Sequence, residues 1–462
     1  MMMQLLILVA AFLAGAMCEC CGASSSSSPS SSSSSLLSPS PSPLELPLRG
    51  WSTWTTFKCD INETLVNESI TALVSSPLFE SGYNYVLIDD CWTTCEEFVG
   101  ERCAKAGARD AEGRIQINRT KFPNGFAPLT KRAHDLGLKI GIYTSVSATT
   151  CGGFTGSYQN EAIDAHSFAE YGFDFVKHDT CGVDYSVHDG GLQNATRRMR
   201  DALWKASGDR RRIVYYLDSG NPTSPQKMYN PKQRGVAKQE WRLKLATAPQ
   251  ELAWVWTDAM TLDDQKGPHI VKSWFDIHDT WESTVSNLHS MIKGTEYQRC
   301  GKFNIPDMLT TGMGAQTAAQ YRSQFYLWSV LGSPLILSND VRTMSDEYIS
   351  MVTNPDVLAV QSDPDCVQGS LVRFSEQSEV WAKPLSDGSI AVVLFNKGAT
   401  ATNATVYFSN DWIGQADFFP ALFTSARVRD LGRKSDLGVF ASAYTAELAP
   451  YDSTMLRLWL NR

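Results

Sequence analysis

Six aspartates stand where short apolar runs give out: Asp89 and Asp90 after residues 83–88, Asp179 after 173–176, Asp218 after 212–217, Asp276 after 271–275, and Asp307. Lys177, Lys272, Tyr143, Trp54 and Trp92 occupy the same kind of position. Carboxylates accept hydrogen bonds from hydroxyls, an indole face packs on the C–H groups of a sugar ring, and two more carboxylates can act as acid, base or nucleophile. The set therefore suits a carbohydrate site. Any single aspartate of the six is equally well read as the cap of the helix after its strand. Six of them, with lysines and indoles, resist that reading.

Other chemistries fit less well. Gly312-Met-Gly314 precedes a helix-like stretch, but Thr317 stands where the third glycine of a dinucleotide loop belongs. There is no GxSxG elbow and no GxxxxGK[ST] phosphate loop. His178, beside Asp179, is either a proton relay or a packed residue of a buried strand. The histidines show neither HxxxH nor HExxH spacing, and the eight cysteines of the folded part, beyond Cys18, Cys20 and Cys21, form no CxxC pair. No metal and no cofactor is expected, and disulfides are the better use of the thiols. Cys95 and Cys103 bracket a short loop and are expected to pair.

The elements that carry these residues recur. Apolar runs at 83–88, 138–142, 173–176, 212–217, 271–275 and 334–337 alternate with helix-like stretches such as 162–171 and 316–331. With Trp51 and Asp307 as further strand ends, eight βα units fill roughly 300 residues, the size of a (β/α)₈ TIM barrel whose active site lies at the C-terminal strand ends. An open doubly wound sheet is the alternative. From about residue 365 the texture changes to strand-like runs at 372–374, 379–382, 390–395, 405–408 and 455–459, separated by Gly, Asn and Asp. That pattern predicts a C-terminal antiparallel β-sandwich. The expected class is thus α/β, with the barrel at 46–362 and the sandwich at 363–462.

The chain has 462 residues, 43% of them hydrophobic, which excludes wholesale disorder. A formal charge of −8 argues against a nucleic-acid partner, whose phosphates need a basic footprint. Residues 5–16 form a 12-residue apolar run, too short to span a membrane and suited to a signal peptide, with cleavage after Ala16 or Cys18. The leader is assigned to 1–18 and a Ser/Pro-rich linker to 19–45, where 14 Ser and four Pro fall within residues 24–43. Five Asn-x-Ser/Thr sequons follow, at Asn62, Asn67, Asn118, Asn194 and Asn403. Together these predict a secreted or lumenal glycoprotein, lysosome and vacuole included, with no membrane association after cleavage.

The strand ends also resemble a known family. Gly50-Trp-Ser-Thr-Trp54, Ile88-Asp-Asp-Cys-Trp92, Leu136-Gly-Leu-Lys-Ile-Gly-Ile-Tyr143, Lys177-His-Asp-Thr-Cys181, Asp276-Ile-His-Asp-Thr-Trp281, Pro306-Asp-Met-Leu309 and Ser333-Pro-Leu-Ile-Leu-Ser-Asn-Asp340 are similar, in order, to the motifs of glycoside hydrolase family 27. That family contains the α-galactosidases and α-N-acetylgalactosaminidases and has a barrel followed by a β-sandwich. The resemblance implies an exo-acting, retaining double displacement on terminal α-galactosides, with Asp179 as nucleophile and Asp276 as acid/base. A proton donor needs a raised pKa, which neighbouring carboxylates and partial burial are expected to give Asp276. Asp89 and Asp90 would hold the sugar's 4- and 6-hydroxyls with Lys177 beside them. Trp54 would form an apolar wall, and Tyr143, Cys151, Asp307 and Met308 would line the pocket. Cys59–Cys91 and Cys151–Cys181 match the family's disulfides.

The departures cluster around the sugar's 2-position. Leu217-Asp218-Ser219 stands where α-galactosidases usually carry Cys-Glu-Trp, and Lys272 stands for the family's Arg, without its bidentate fork. Residues 221–270 are longer than usual, and Phe303-Asn-Ile-Pro-Asp307 replaces Trp-Asn-Asp-Pro-Asp. These changes keep α-N-acetylgalactosaminidase, β-L-arabinopyranosidase, transglycosylase and inactive sugar-binding readings open. Asp218 in place of a small residue, and both Asp89 and Asp90 in place, favour galactose.

Overall fold

The computed structural model describes residues 44–181, 191–208, 213–219, 267–272, 274–295, 297–408 and 423–461. The leader, the linker up to residue 43 and most of the long 221–270 stretch lie outside the described residues.

Eight strands form one parallel sheet: β1 (Arg49–Ser52), β2 (Tyr83–Ile88), β3 (Lys139–Ser145), β4 (Phe175–Asp179), β5 (Val214–Asp218), β6 (Ile270–Lys272), β7 (Phe303–Asn304) and β8 (Leu335–Leu337). They are hydrogen-bonded in chain order, with β8 returning to β1. The ring closes between the last two strands, where Leu309 pairs in parallel with Leu337 and donates its N–H to the Ile336 carbonyl at 2.8 Å. Sequential order and closure make this a barrel rather than an open sheet. Helices α1 (Glu63–Ser75), α2 (Ala127–Asp135), α3 (Glu161–Tyr171), α4 (Gly191–Ser207), α5 (Trp281–Ser290) and α6 (Ala318–Val330) pack outside, followed by α7 (Asp346–Val352) and α8 (Pro355–Gln361).

Local signals account for these elements. In α1 the buried side chains Leu65, Val66, Ser69, Ile70 and Leu73 recur at helical spacing, and the Asn62 side chain accepts the Leu65 N–H at 2.8 Å as an N-cap. α6 opens on a capping box between Thr317 and Gln320. Barrel strands are buried on both faces, as parallel strands under helices must be. Gly141 on β3 is a space requirement, since a Cβ there would lie 2.3 Å from the Phe175 ring.

The C-terminal strands β9 (Ser370–Phe374), β10 (Ser378–Pro384), β11 (Ile390–Asn396), β12 (Thr402–Tyr407), β13 (Ser425–Asp430), β14 (Ser435–Ala441), β15 (Ala443–Leu448) and β16 (Ser453–Asn461) make an antiparallel sandwich. A six-stranded sheet in the order β9-β10-β11-β16-β13-β14 faces the β12-β15 pair. Val380, Val392, Leu394, Val428, Leu456 and Leu458 meet Val406 and Leu448 between them. The other face of the large sheet presents Trp381, Val393, Phe395 and Met455 to the barrel's own core.

Two charged or aromatic anchors cross that junction. Glu379 is buried and accepts from His289 of α5 at 2.9 Å and from Lys397 at 2.7 Å, which hold its carboxyl far below the usual range despite burial. Trp281 packs edge-on against Phe395 and Tyr451 and donates to the Lys397 carbonyl. Four disulfides are formed: Cys59–Cys91, Cys95–Cys103, Cys151–Cys181 and Cys300–Cys366. The fourth joins the approach to β7 with the entry to the sandwich across 66 residues, worth about 4 kcal/mol in the chain-entropy picture. Among the described residues no helix is long and apolar enough to cross a membrane.

Candidate active site

Register explains which side chains meet. Tyr143, Lys177 and Tyr216 are partners across β3, β4 and β5, and Asp179, Asp218 and Lys272 are partners across β4, β5 and β6. Partners in a parallel sheet point to the same face, so two successive layers of the barrel interior carry these groups. The lower layer places the Lys177 ammonium 5.2 Å from the centre of the Tyr143 ring and 5.9 Å from that of Tyr216. The upper layer is the row of Asp179, Asp218 and Lys272.

Two lysines bind the carboxylates together. Lys177 Nζ lies 3.1 Å from Asp89 Oδ2 and 3.3 Å from Asp218 Oδ2. Lys272 Nζ lies 3.1 Å from Asp218, 2.5 Å from Asp276 Oδ1 and 3.1 Å from Asp307 Oδ2. Burial alone would pull both ammonium groups down, but the surrounding carboxylates outweigh it and raise them well above the usual lysine value. Both stay charged.

The remaining contacts come from the backbone. Asp90 accepts the N–H groups of Gly152 at 2.8 Å and Cys91 at 2.7 Å, yet burial still pushes its carboxyl up to about 6. The Tyr143 hydroxyl lies 3.1 Å from both Asp179 Oδ2 and Cys151 Sγ, and the Thr180 N–H reaches Asp179 Oδ1 at 2.7 Å. Asp307 accepts from the Ile277 N–H at 2.9 Å and from its neighbour Met308 at 2.7 Å. Asp307 and Cys91 hold φ values of 108° and 75°, unusual for residues with a Cβ. Such conformations cost about 1–3 kcal/mol and persist where surrounding structure enforces them. At Cys91 the disulfide to Cys59 does so; at Asp307 the bonds to Ile277 and Lys272 do.

The expectation that neighbouring carboxylates and partial burial raise the Asp276 carboxyl is corrected. Its side chain is 55% exposed, and the Lys272 ammonium holds its carboxyl well below the usual carboxylate range. Asp179 shows the reverse, because burial and the neighbouring Asp218 push its carboxyl well up. Asp276 also does not end its strand. β6 stops at Lys272, and the chain then leaves the sheet, with Trp274 donating to Ser286 Oγ of α5 at 2.9 Å. The carboxyl is therefore carried on a loop. Asp307 likewise lies beyond the two-residue β7.

Trp54 is half-buried at the rim with the Lys58 ammonium 4.9 Å from its ring centre, and Met308 is buried against the Thr55 hydroxyl. Trp92 is not a rim residue. It is buried beside Phe126 and Phe168 and donates to the Tyr143 carbonyl. His178 points away from the interior to Tyr215, whose hydroxyl is 3.0 Å from Nδ1, and burial pulls its ring down to about 3, so it is a packed neutral residue and no relay. Sequence reasoning missed Lys58, whose charge bears on Asp276, Asp89 and Asp307. A cation one residue before Cys59 gives no signal of its own. A hairpin of Cys95–Val99 and Arg102–Ala106 docks on the Cys151 loop at Gly153, which has φ 87° and whose Cβ would strike the Cys103 carbonyl. Cys151, Asp179 and Cys181 bring possible ligand atoms within 4.8 Å of one another, but the disulfide consumes both thiolates a metal would need.

Chemically, the mouth offers several hydroxyl acceptors, two fixed cations and a pair of carboxyls with opposite environments. Comparison with known proteins gives the same direction. The family Alpha galactosidase A matches residues 46–243 and 254–363, and the Alpha galactosidase C-terminal beta sandwich domain matches 375–458. An alpha-galactosidase of Oryza sativa subsp. japonica is 32% identical over 418 residues, 90% of this chain and 85% of that protein. One from Cyamopsis tetragonoloba is 31% identical over 408 residues, 87% and 84% of the two chains. The crystal structure of alpha-galactosidase I from Mortierella vinacea superposes with a TM-score of 0.75 at 26% identity, covering 90% of this chain and 98% of the other.

Proposed function

Because the chain belongs to the α-galactosidase family of glycoside hydrolases, family 27, we propose that Asp179 and Asp276 are the two working carboxyls of a retaining double displacement. The enzyme hydrolyses terminal non-reducing α-D-galactosyl residues of carbohydrate substrates. In the first half-reaction the Asp179 carboxylate attacks the anomeric carbon, forming a glycosyl ester as the bond to the leaving oxygen breaks and Asp276 protonates that oxygen. In the second, Asp276 takes a proton from water, the water attacks the same carbon, and Asp179 is released.

The observation that carries this assignment is the placement of Asp179 in the pocket wall, oriented by the Tyr143 hydroxyl, with Asp276 exposed at the opening across Lys272. A buried nucleophile and a solvent-facing acid/base suit a sugar ring inside and a leaving group outside. Asp89, Asp90 and Lys177 form the wall for the hydroxyls remote from the reacting carbon. Asp218 and Lys272 face the hydroxyl next to it, with Trp54, Tyr143, Cys151, Asp307 and Met308 around them. An acetamido group is not favoured there, since Asp218 is 1% exposed and already sits between two ammonium groups.

The four disulfides and the five sequons support action outside the cytosol, either secreted or in a lumen such as a lysosome or vacuole. The test is nitrophenol release from p-nitrophenyl α-galactoside by the parent and by Asp179→Asn, with the product's anomer followed by NMR. Activity in the parent, its loss in the variant and α-galactose as first product are expected. First-formed β-galactose would overturn the retaining assignment.

A further inference from the structure

The connection from β2 to α2 leaves the barrel at the C-terminal end of a strand, on the face where the pocket opens. It carries the hairpin of Cys95–Val99 and Arg102–Ala106, whose strands are stapled by the Cys95–Cys103 disulfide. Eight large hydrophobic side chains are exposed among the described residues, and two of them, Phe98 at 53% and Val99 at 66%, are consecutive here. Folding gains little from an apolar tip held out in water, so an exposed pair beside a pocket marks a place where a ligand docks.

The hairpin is fixed to the pocket wall. The Cys103 N–H donates to the Gly152 carbonyl at 2.9 Å, and Arg102 Nη2 donates to the Cys151 carbonyl at 3.0 Å. Gly152 in turn donates to Asp90, and Cys151 Sγ lies 3.1 Å from the Tyr143 hydroxyl that reaches Asp179. Lys105 and Glu96 pair across the two strands at 2.6 Å. Apolar contact runs the same way. Cys91, Cys103 and Phe154 form one buried cluster, with Trp54, Cys59 and Cys95 packed against it. Phe98, the register partner of Cys103, sets its ring edge-on to that of Phe154 with 6.1 Å between centres. Phe154 is fully buried and Phe98 is not. One apolar strip therefore begins at Trp54 on the rim, passes through Phe154 and surfaces at Phe98.

The occupant follows from the direction of cleavage. An exo-acting glycosidase takes the terminal galactosyl ring into the pocket, and everything beyond the scissile oxygen stays outside, on the face of the βα connections. A pyranose offers a patch of C–H groups with hydroxyls around it. The Phe98 ring suits the first, and Glu97, Glu101 and Arg102, all exposed beside it, suit the second. The carboxylates of Glu97 and Glu101 are poorly placed for an anionic ligand.

We propose that Phe98 is the platform of a second carbohydrate site, which receives the sugar units on the leaving side of the scissile bond, and that the stapled hairpin holds this platform at a fixed offset from Asp179. The inference rests on the galactosidase reading of the pocket. Because the disulfide and the Gly152 contact already hold the hairpin, the site adds affinity without having to order a loop. It grips the remote end of the substrate, far from the reacting bond, and so contributes equally to the bound state and the transition state. Such a contact lowers KM and leaves kcat alone. A substrate whose leaving part is too short to reach the hairpin is indifferent to it.

The test compares raffinose, whose leaving part is a disaccharide, with methyl α-galactoside, whose leaving part is a single carbon. In Phe98→Ala the KM of raffinose rises about fivefold to tenfold at unchanged kcat, the scale of uncovering about 50 Å² of ring. The kcat/KM of methyl α-galactoside changes by less than about twofold, since that substrate never reaches the platform. Inhibition by free galactose, which fills the inner pocket alone, also stays near the parent's, and these two readouts show that the variant is folded. Phe98→Trp keeps a ring face and holds the raffinose KM at or below the parent's. An unchanged raffinose KM in Phe98→Ala overturns the proposal, and so does an equal loss on both substrates. If that substitution leaves raffinose kinetics intact but lowers the particle mass in light scattering, the patch belongs to a second copy of the chain instead. A parent that cleaves no α-galactoside would sink the functional reading itself.

Discussion

The pocket has two walls built on different principles. On one, Asp89, Asp90 and Lys177 are held by strand register and by the backbone N–H groups of Cys91 and Gly152, and Lys177 pairs with Asp89 and Asp218. On the other, Lys272 is shared among three carboxylates, one of them on an exposed loop. The first wall is fixed by buried contacts of its own. The second has its one ammonium fully occupied, with Asp276 as the most exposed of its three acceptors. The contacts held by backbone N–H groups thus lie on one side of the pocket, and the exposed carboxyl carried by a loop lies on the other.

Removing a working group from the second wall gives the largest effects. Asp179→Asn is expected to lower kcat by about 10⁴-fold or more, measured with p-nitrophenyl α-galactoside, since the proposed mechanism forms the ester on Asp179. Asp276→Asn is expected to cost about 10²–10⁴-fold on a sugar leaving group, and much less on nitrophenol, whose oxygen needs little protonation. Equal losses on both leaving groups would remove Asp276 from the acid role.

The first wall should respond in stability rather than in turnover alone. Lys177→Met leaves Asp89 and Asp218 with one fewer buried cation and is expected to lower stability by about 3–5 kcal/mol in denaturant titration. Asp90 gives a signed pH test. Its carboxyl has a folded pKa of about 6, above the unfolded value near 3.9. Its favourable contribution is therefore present in full below about pH 4 and is lost as pH rises through 6, amounting to about 2–3 kcal/mol by neutrality. Asp90→Asn should flatten that part of the stability curve, with the variant gaining on the parent at neutral pH and not at pH 4. The smallest effect belongs to the rim, where Lys58→Met should change kcat/KM by no more than about threefold at physiological salt, because exposed charges are screened. A larger change would extend the reacting wall outward to Lys58.

Legibility in the sequence followed the same division. The barrel was visible because each strand is buried on both faces and ends in a polar residue, so composition alone marks β2 to β5. The placement of Asp89, Asp90 and Lys177 at the pocket was readable because it depends on strand register. Strands of two or three residues, such as β6 and β7, carry too little pattern to bound, so Asp276 and Asp307 were placed on strands they in fact follow. β13, β14 and β15 were missed because their partly exposed, polar-rich alternation blends into turns. The Cys300–Cys366 pair joins residues with nothing local in common. That one ammonium serves three carboxylates is a property of side-chain reach, and no spacing rule encodes it.

Trp281 lies five residues after Asp276 and is clasped by Phe395, Tyr451 and the Lys397 carbonyl of the sandwich. The loop that carries the exposed carboxyl is thus moored in the neighbouring domain. A barrel cut free of its sandwich, or grafted onto another, would keep every pocket residue and still lose the mooring. Whoever recombines such enzymes by parts should move the join, so that helix α5 and the strand ends at Phe395 and Tyr451 travel as one inherited unit.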